Sequence, residues 1–225
     1  MNYKLLYRLS FLGITGGVLM FVGDMLFYYK PVSGKAFDSL VTMGEQNIER
    51  LILGGMIGPI AGILYASAAL IFYFAFKNIS GFAAKLISGF WIIMFIVGGT
   101  YHAVFPNYGF VGRLPSEHRT VQTQYVFDLI HHLYLISFIL GLISSLYLIY
   151  IILTKNTIFP KWIILITPTF LTLLNPILKQ YYPYPFGAVL YGGWVNLCFI
   201  LFFAVCFAVF YRKNKIRIIE NNGIV

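Results

Sequence analysis

Charge is what this 225-residue sequence has least of. Asp, Glu, Lys and Arg make up 10% of it, where a soluble domain carries about 25%. With 60% apolar residues and a mean hydropathy of +0.82, the chain has too little charge to cover a water-facing surface, and its main solvent reads as lipid. Acidic residues are the scarcer kind, 7 against 16 basic ones. The net charge of +9 does not imply nucleic acid, because the basic residues are scattered over loops and the C-terminus, not interleaved with stacking aromatics in a soluble segment. Cysteine is almost missing. Cys198 and Cys206 lie in one apolar run, about two turns apart if helical, which is farther than the ~7 Å between Cα atoms that a disulfide allows. The alternation of a membrane β-strand is absent as well, leaving helices as the only spanning structure. There is no inverted repeat between the halves and no midplane relay of ionisable residues, which disfavours a transporter or ion pathway.

What is present is a set of apolar runs near bilayer length: residues 7–28, 51–76, 82–103, 125–153, 159–178 and 186–211. They predict an all-α, polytopic bundle of about six transmembrane helices in a single domain over residues 1–225. The first run resembles the apolar part of a signal peptide, but it continues through Gly23 and Asp24 with no small-residue cleavage site and reads as a retained span. Ten of the sixteen basic residues fall at the termini and in the even-numbered loops, among them Lys4, Lys77, Lys155 and Arg217. By the positive-inside rule both termini are expected in the cytoplasm, with the protein in the plasma membrane. In the first external segment, 36–50 reads either as an amphipathic surface helix or as a solvated loop, and Tyr182 to Pro185 as an interfacial aromatic anchor. Small residues every fourth position on the second run (Gly54, Gly58, Gly62, Ala66) and on the fourth (Ser137, Gly141, Ser145) predict close helix seams, with Gly13 and Gly17 a weaker one. Pro59, Pro168 and Pro176 are expected to kink or interrupt their spans.

Placing each polar residue at its depth gathers them at the external end. Asp24 and His102 come late in outward-running helices, while Asp128, His131 and His132 come early in an inward-running one. Asn175 and Lys179 close the fifth run, Trp194 and Asn196 sit in the outer half of the sixth, and Arg50 stands at the mouth of the second. Charged groups in a span each cost a few kcal/mol on insertion scales and therefore tend to face a common interior. Asp24, His102, Asp128, His131 and His132 are the candidate catalytic residues, and Arg50, Asn175, Lys179, Trp194 and Asn196 the candidate ligand-binding ones. Asp128 with His131 and His132 at i+3 and i+4, joined by His102, is a donor set suited to zinc, which would make the pocket a metal-assisted hydrolase of a lipid-like substrate arriving sideways from the leaflet. A single haem held by His102 and a histidine of the fourth run is the alternative cofactor. Each group also has a structural reading: interfacial hydrogen bonding for the histidines, an ion pair of Asp24 with Arg50 or Lys179, and satisfaction of a broken helix for Asn175. The partners expected are the bilayer and a lipid or small-molecule ligand; no protein partner is inferable.

The phrases Phe21-Val-Gly-Asp24-Met, Gly98-Gly-Thr-Tyr-His102 and Gly192-Gly-Trp-Val-Asn196 resemble those of an uncharacterised family of bacterial six-span membrane proteins, over most of the chain, and the resemblance implies the architecture alone. The ceramidase and adiponectin-receptor type of intramembrane hydrolase has seven spans and a His-x-x-x-His zinc pair. Six runs and adjacent histidines depart from that pattern.

Overall fold

The structure, a computed structural model, describes residues 1–29, 39–175 and 186–221. Lys179, Pro176, Tyr182–Pro185 and 36–38 lie outside the described residues. No strand occurs among the described residues. The first helix, α1 (Tyr3–Tyr28), opens where the Asn2 side chain accepts from Leu5 N, satisfying one of the four amides that a helix start leaves without a partner. Next come α2 (Ser39–Gly44), α3 (Ile48–Ala68) and α4 (Leu70–Phe76). Asn47 caps α3, and α3 and α4 run as one 29-residue span, Ile48–Phe76, offset at Ala69. Ser80 caps α5 (Gly81–Val104), which leads into α6 (Asn107–Gly112). The last two long helices are α7 (Ser116–Thr154) and α9 (Phe186–Asn221), separated by a 3-10 helix (Lys161–Ile166) and by α8 (Pro168–Thr172).

Five of these spans are long and apolar enough to cross a membrane. The fifth run of the sequence is not among them. Instead of a continuous helix over 159–178, the chain forms the six-residue 3-10 helix, an extended Thr167 (ψ 135°) and the five-residue α8. Pro160 and Pro168 bracket this break; each lacks an amide donor, and Thr167, the residue before Pro168, is held out of the helical region. This broken segment nonetheless climbs the bundle. The Phe159 ring meets Phe76 and Phe210 near the end that holds the N-terminus, while the Leu171 carbonyl accepts from Trp194 much farther up. The two chain ends meet as well, since Arg217 donates to Met1 O at 2.7 Å.

The long helices pack in the order α9, α1, α3, α5, α7, and the broken segment fills the place between α7 and α9. The seams anticipated from the small residues are real contacts. Gly58 and Gly62 of α3 face Gly99 of α5, Gly13 and Gly17 of α1 face Phe203 and Ile200 of α9, and Gly141 of α7 faces Met94 of α5. Backbones approach closely there because lipid offers no hydrophobic drive to hold bulkier interfaces together. Inside the ring lies an aromatic core of Phe72, Trp91, Phe95, Phe199, Phe202 and Phe203. Outside it, large apolar side chains such as Ile63 and Phe82 are 66% and 71% exposed, the surface of a multi-pass membrane protein whose solvent is hydrocarbon.

At the far end, α2 is neither a free surface helix nor a loop. It packs on α6, and Arg113 of the following turn donates to Gly44 O at 3.1 Å and to Gln46 O. Met43, Leu51, Phe27, Phe105 and Val111 form a second buried cluster beneath it.

Candidate functional site

Under that cluster four helices bring four polar side chains together. Asp24, one turn before the end of α1, is 7% exposed, His102 near the end of α5 is 4% and Asn196 of α9 is 9%. Asn196 Nδ2 donates to Asp24 Oδ2 at 2.7 Å, and Tyr65 of α3 donates its hydroxyl to Asn196 Oδ1 at 3.1 Å. On the other side His102 Nε2 stands 3.3 Å from Asp24 Oδ1, an ion-pairing distance, while His102 Nδ1 has no hydrogen-bond partner. Among the described residues, Asp24 and His102 are the only buried members of the Asp, Glu, Lys, Arg and His set.

Glycine makes this arrangement possible. A Cβ on Gly23 would sit 2.6 Å from His102 Cε1, and one on Gly58 would sit 2.8 Å from His102 Cβ. The imidazole therefore occupies a slot cut by missing side chains on α1 and α3. Phe27 closes that slot, with its ring centroid 4.7 Å from that of His102. Gly17 does the same for Tyr65, whose hydroxyl would lie 2.9 Å from a Cβ there.

Of the residues singled out in the sequence, Asp24, His102 and Asn196 meet. Asp128, His131 and His132 do not join them: all three are exposed on α7, where Asp128 pairs with Gln124 and His131 stacks on Phe127. The expected common cavity is thus corrected to a smaller, differently composed site. The reason is the length of α7. About 20 residues span a hydrocarbon layer, and α7 has 39, so its outer turns need not be buried in the bundle. The described residues contain no group of three His, Cys, Asp or Glu side chains that could share a metal ion, so the zinc set does not assemble. The axial pair for haem is separated in the same way.

The candidate ligand-binding residues have other occupations. Arg50 donates to Met25 O and Tyr29 O, both at 2.9 Å, and so caps the C-terminal carbonyls of α1 where a cation also suits the helix dipole. Replacing Arg50 with alanine is expected to lower stability by about 1 kcal/mol, a modest loss because water reaches this half-buried cap; thermal unfolding in detergent checks it. Trp194 Nε1 donates to Leu171 O at 2.8 Å and fastens the broken segment. Asn175 ends the described part of that segment with Oδ1 buried and without a partner. Tyr65 escaped the sequence reading. Its signal was available: it follows Gly54, Gly58 and Gly62 on the same helical face, as the one polar side chain of a small-residue seam.

No curated protein and no solved structure matches the chain. One family model does, over residues 1–213, and the chain belongs to that family of unknown function, DUF6796.

Proposed function

We propose that this protein crosses the cell membrane six times, counting the broken segment, with both termini in the cytoplasm, and that it holds the polar headgroup of a lipid-like ligand at Asp24 and His102 in the outer half of the bundle. Basic residues concentrated at the end shared by Met1 and Arg217 support that orientation. A cysteine replacing His118 should react with a membrane-impermeant maleimide in intact cells, and one replacing Lys213 only after permeabilisation. The reverse pattern would invert the protein.

The observation that carries the ligand reading is His102: 4% exposed, with Nε2 3.3 Å from a buried carboxylate and Nδ1 left without a hydrogen-bond partner. Leaving buried polar atoms unpaired costs about 1–3 kcal/mol each, and an apolar pair of similar volume would pack at least as well. A ligand hydroxyl, amine or phosphate near this pair would supply the missing partner. Conduction fits less well. Beyond Tyr65 the core is the aromatic block, and Ser88 Oγ and Trp91 Nε1, both uncharged, are its unpartnered polar atoms; a path needs polar footholds at every depth.

Native mass spectrometry of protein released from mild detergent tests this reading. A co-purifying amphiphile should accompany the wild type and be lost from Asp24→Asn. Its retention by Asp24→Asn would remove the site from ligand binding, and a proteoliposome flux abolished by that substitution would favour transport.

A further inference from the structure

We infer that the ligand reaches this site sideways between α7 and α9, and that its apolar chain lies in the crevice beside the broken segment; this rests on the ligand-binding reading above. Around the rest of the ring, neighbouring long helices pack directly on one another. Between α7 and α9 the contacts run through the 3-10 helix and α8. A crevice of about 100 Å³ opens here, lined by Met94, Ser137, Phe138, Thr169, Val195 and Phe199. Three of its hydroxyls are engaged within the wall, Ser137 with Met94 O at 3.3 Å, Thr169 with Ser145 at 2.6 Å and Thr172 with Pro168 O at 2.7 Å. The wall therefore presents carbon to its occupant. Tyr134 and Val195, 46% and 37% exposed, flank the mouth, which opens on hydrocarbon. The medium at that mouth is acyl chain, so the occupant that both wall and surroundings select is one slender apolar chain of an amphiphile.

The inner wall is Phe199. Its ring centroid lies 5.3 Å from that of Tyr65, whose hydroxyl ends the polar chain through Asn196 to Asp24. Crevice and polar chain are thus back to back, with the rings of Phe199 and Tyr65 between them. The broken segment that guards the mouth is fastened by side chains: Trp194 to Leu171 O, and Ser145 to Thr169. With two prolines among its described residues it has few internal hydrogen bonds to lose, which places it at the low-stability end of the structure.

The experiment uses the full chain in liposomes with a lysophospholipid carrying a photoactivatable diazirine in its acyl chain. Adducts should map to the crevice, at Phe138 and Val195, and not to lipid-facing Ile63. Ser145→Cys with Thr169→Cys places two thiols where oxygens now stand 2.6 Å apart, close enough for a disulfide. Oxidising that pair before the probe is added should cut crevice adducts about tenfold, and reduction should restore them; Thr169→Cys alone controls for pairing with Cys198. Adducts spread evenly over lipid-facing positions, or unchanged by the lock, would overturn the lateral route. Native mass spectrometry reports separately on the site, so an Asp24-dependent ligand with no crevice labelling sinks this inference and leaves the binding reading standing.

Discussion

Asp24→Ala is expected to destabilise the detergent-solubilised protein by about 1–3 kcal/mol for each buried partner it strands, the usual cost of leaving a buried polar group unsatisfied. The carboxylate is the hub of the site, accepting from Asn196 Nδ2 at 2.7 Å and facing His102 Nε2 at 3.3 Å. Truncation leaves both nitrogens beside an empty volume that the glycine-packed helices cannot collapse to fill. Asp24→Asn should cost far less. Its amide oxygen still accepts from Asn196 and its shape matches the carboxylate, so packing and that hydrogen bond survive while the charge is lost. Denaturant or thermal unfolding of the two variants separates packing from charge. Equal losses would mean that the negative charge itself holds the bundle together; a small loss for asparagine with complete loss of the bound amphiphile would assign the charge to function.

Gly58→Ala is expected to cost about 1–3 kcal/mol by overpacking, against the ordinary helical gain of roughly 0.5–1 kcal/mol for replacing glycine by alanine. Its added methyl would lie 2.8 Å from Gly99 O and 2.8 Å from His102 Cβ. One contact is backbone, which cannot rotate away, and the other is the stem of the His102 imidazole. The substitution therefore couples stability to the site: α3 and α5 separate, His102 shifts, and ligand retention falls with the unfolding midpoint. Gly89→Ala is the matched control, since a Cβ there meets nothing within 4 Å, and it should raise the midpoint. If both substitutions behave alike, the α3–α5 seam is looser than its distances imply.

Much of this molecule is legible from residue types and spacing. Long apolar runs can only be helices in lipid, because every backbone amide must find its partner within the segment. Prolines 160 and 168 bracket the break in the fifth run, whereas Pro59 is carried inside α3, and run length alone pointed to an unbroken span. Glycines at every fourth position imply close seams, and depth along antiparallel helices puts Asp24, His102 and Asn196 at one level. What spacing does not carry is the rotation of each helix about its axis. In water the apolar stripe reveals it; here interior and solvent are both apolar, so a helix such as α7 shows almost no preferred face. Polar residues usually restore that information by pointing inward, but only at depths where exposure is costly. Asp128, His131 and His132 are exposed on a helix far longer than one bilayer span requires, whereas Asp24 and His102 are buried within the bundle. Tertiary packing alone decided that Tyr65 and Asn196, and not the α7 histidines, complete the site, because the slots that Gly17, Gly23 and Gly58 leave open exist only once α1, α3 and α5 are pressed together.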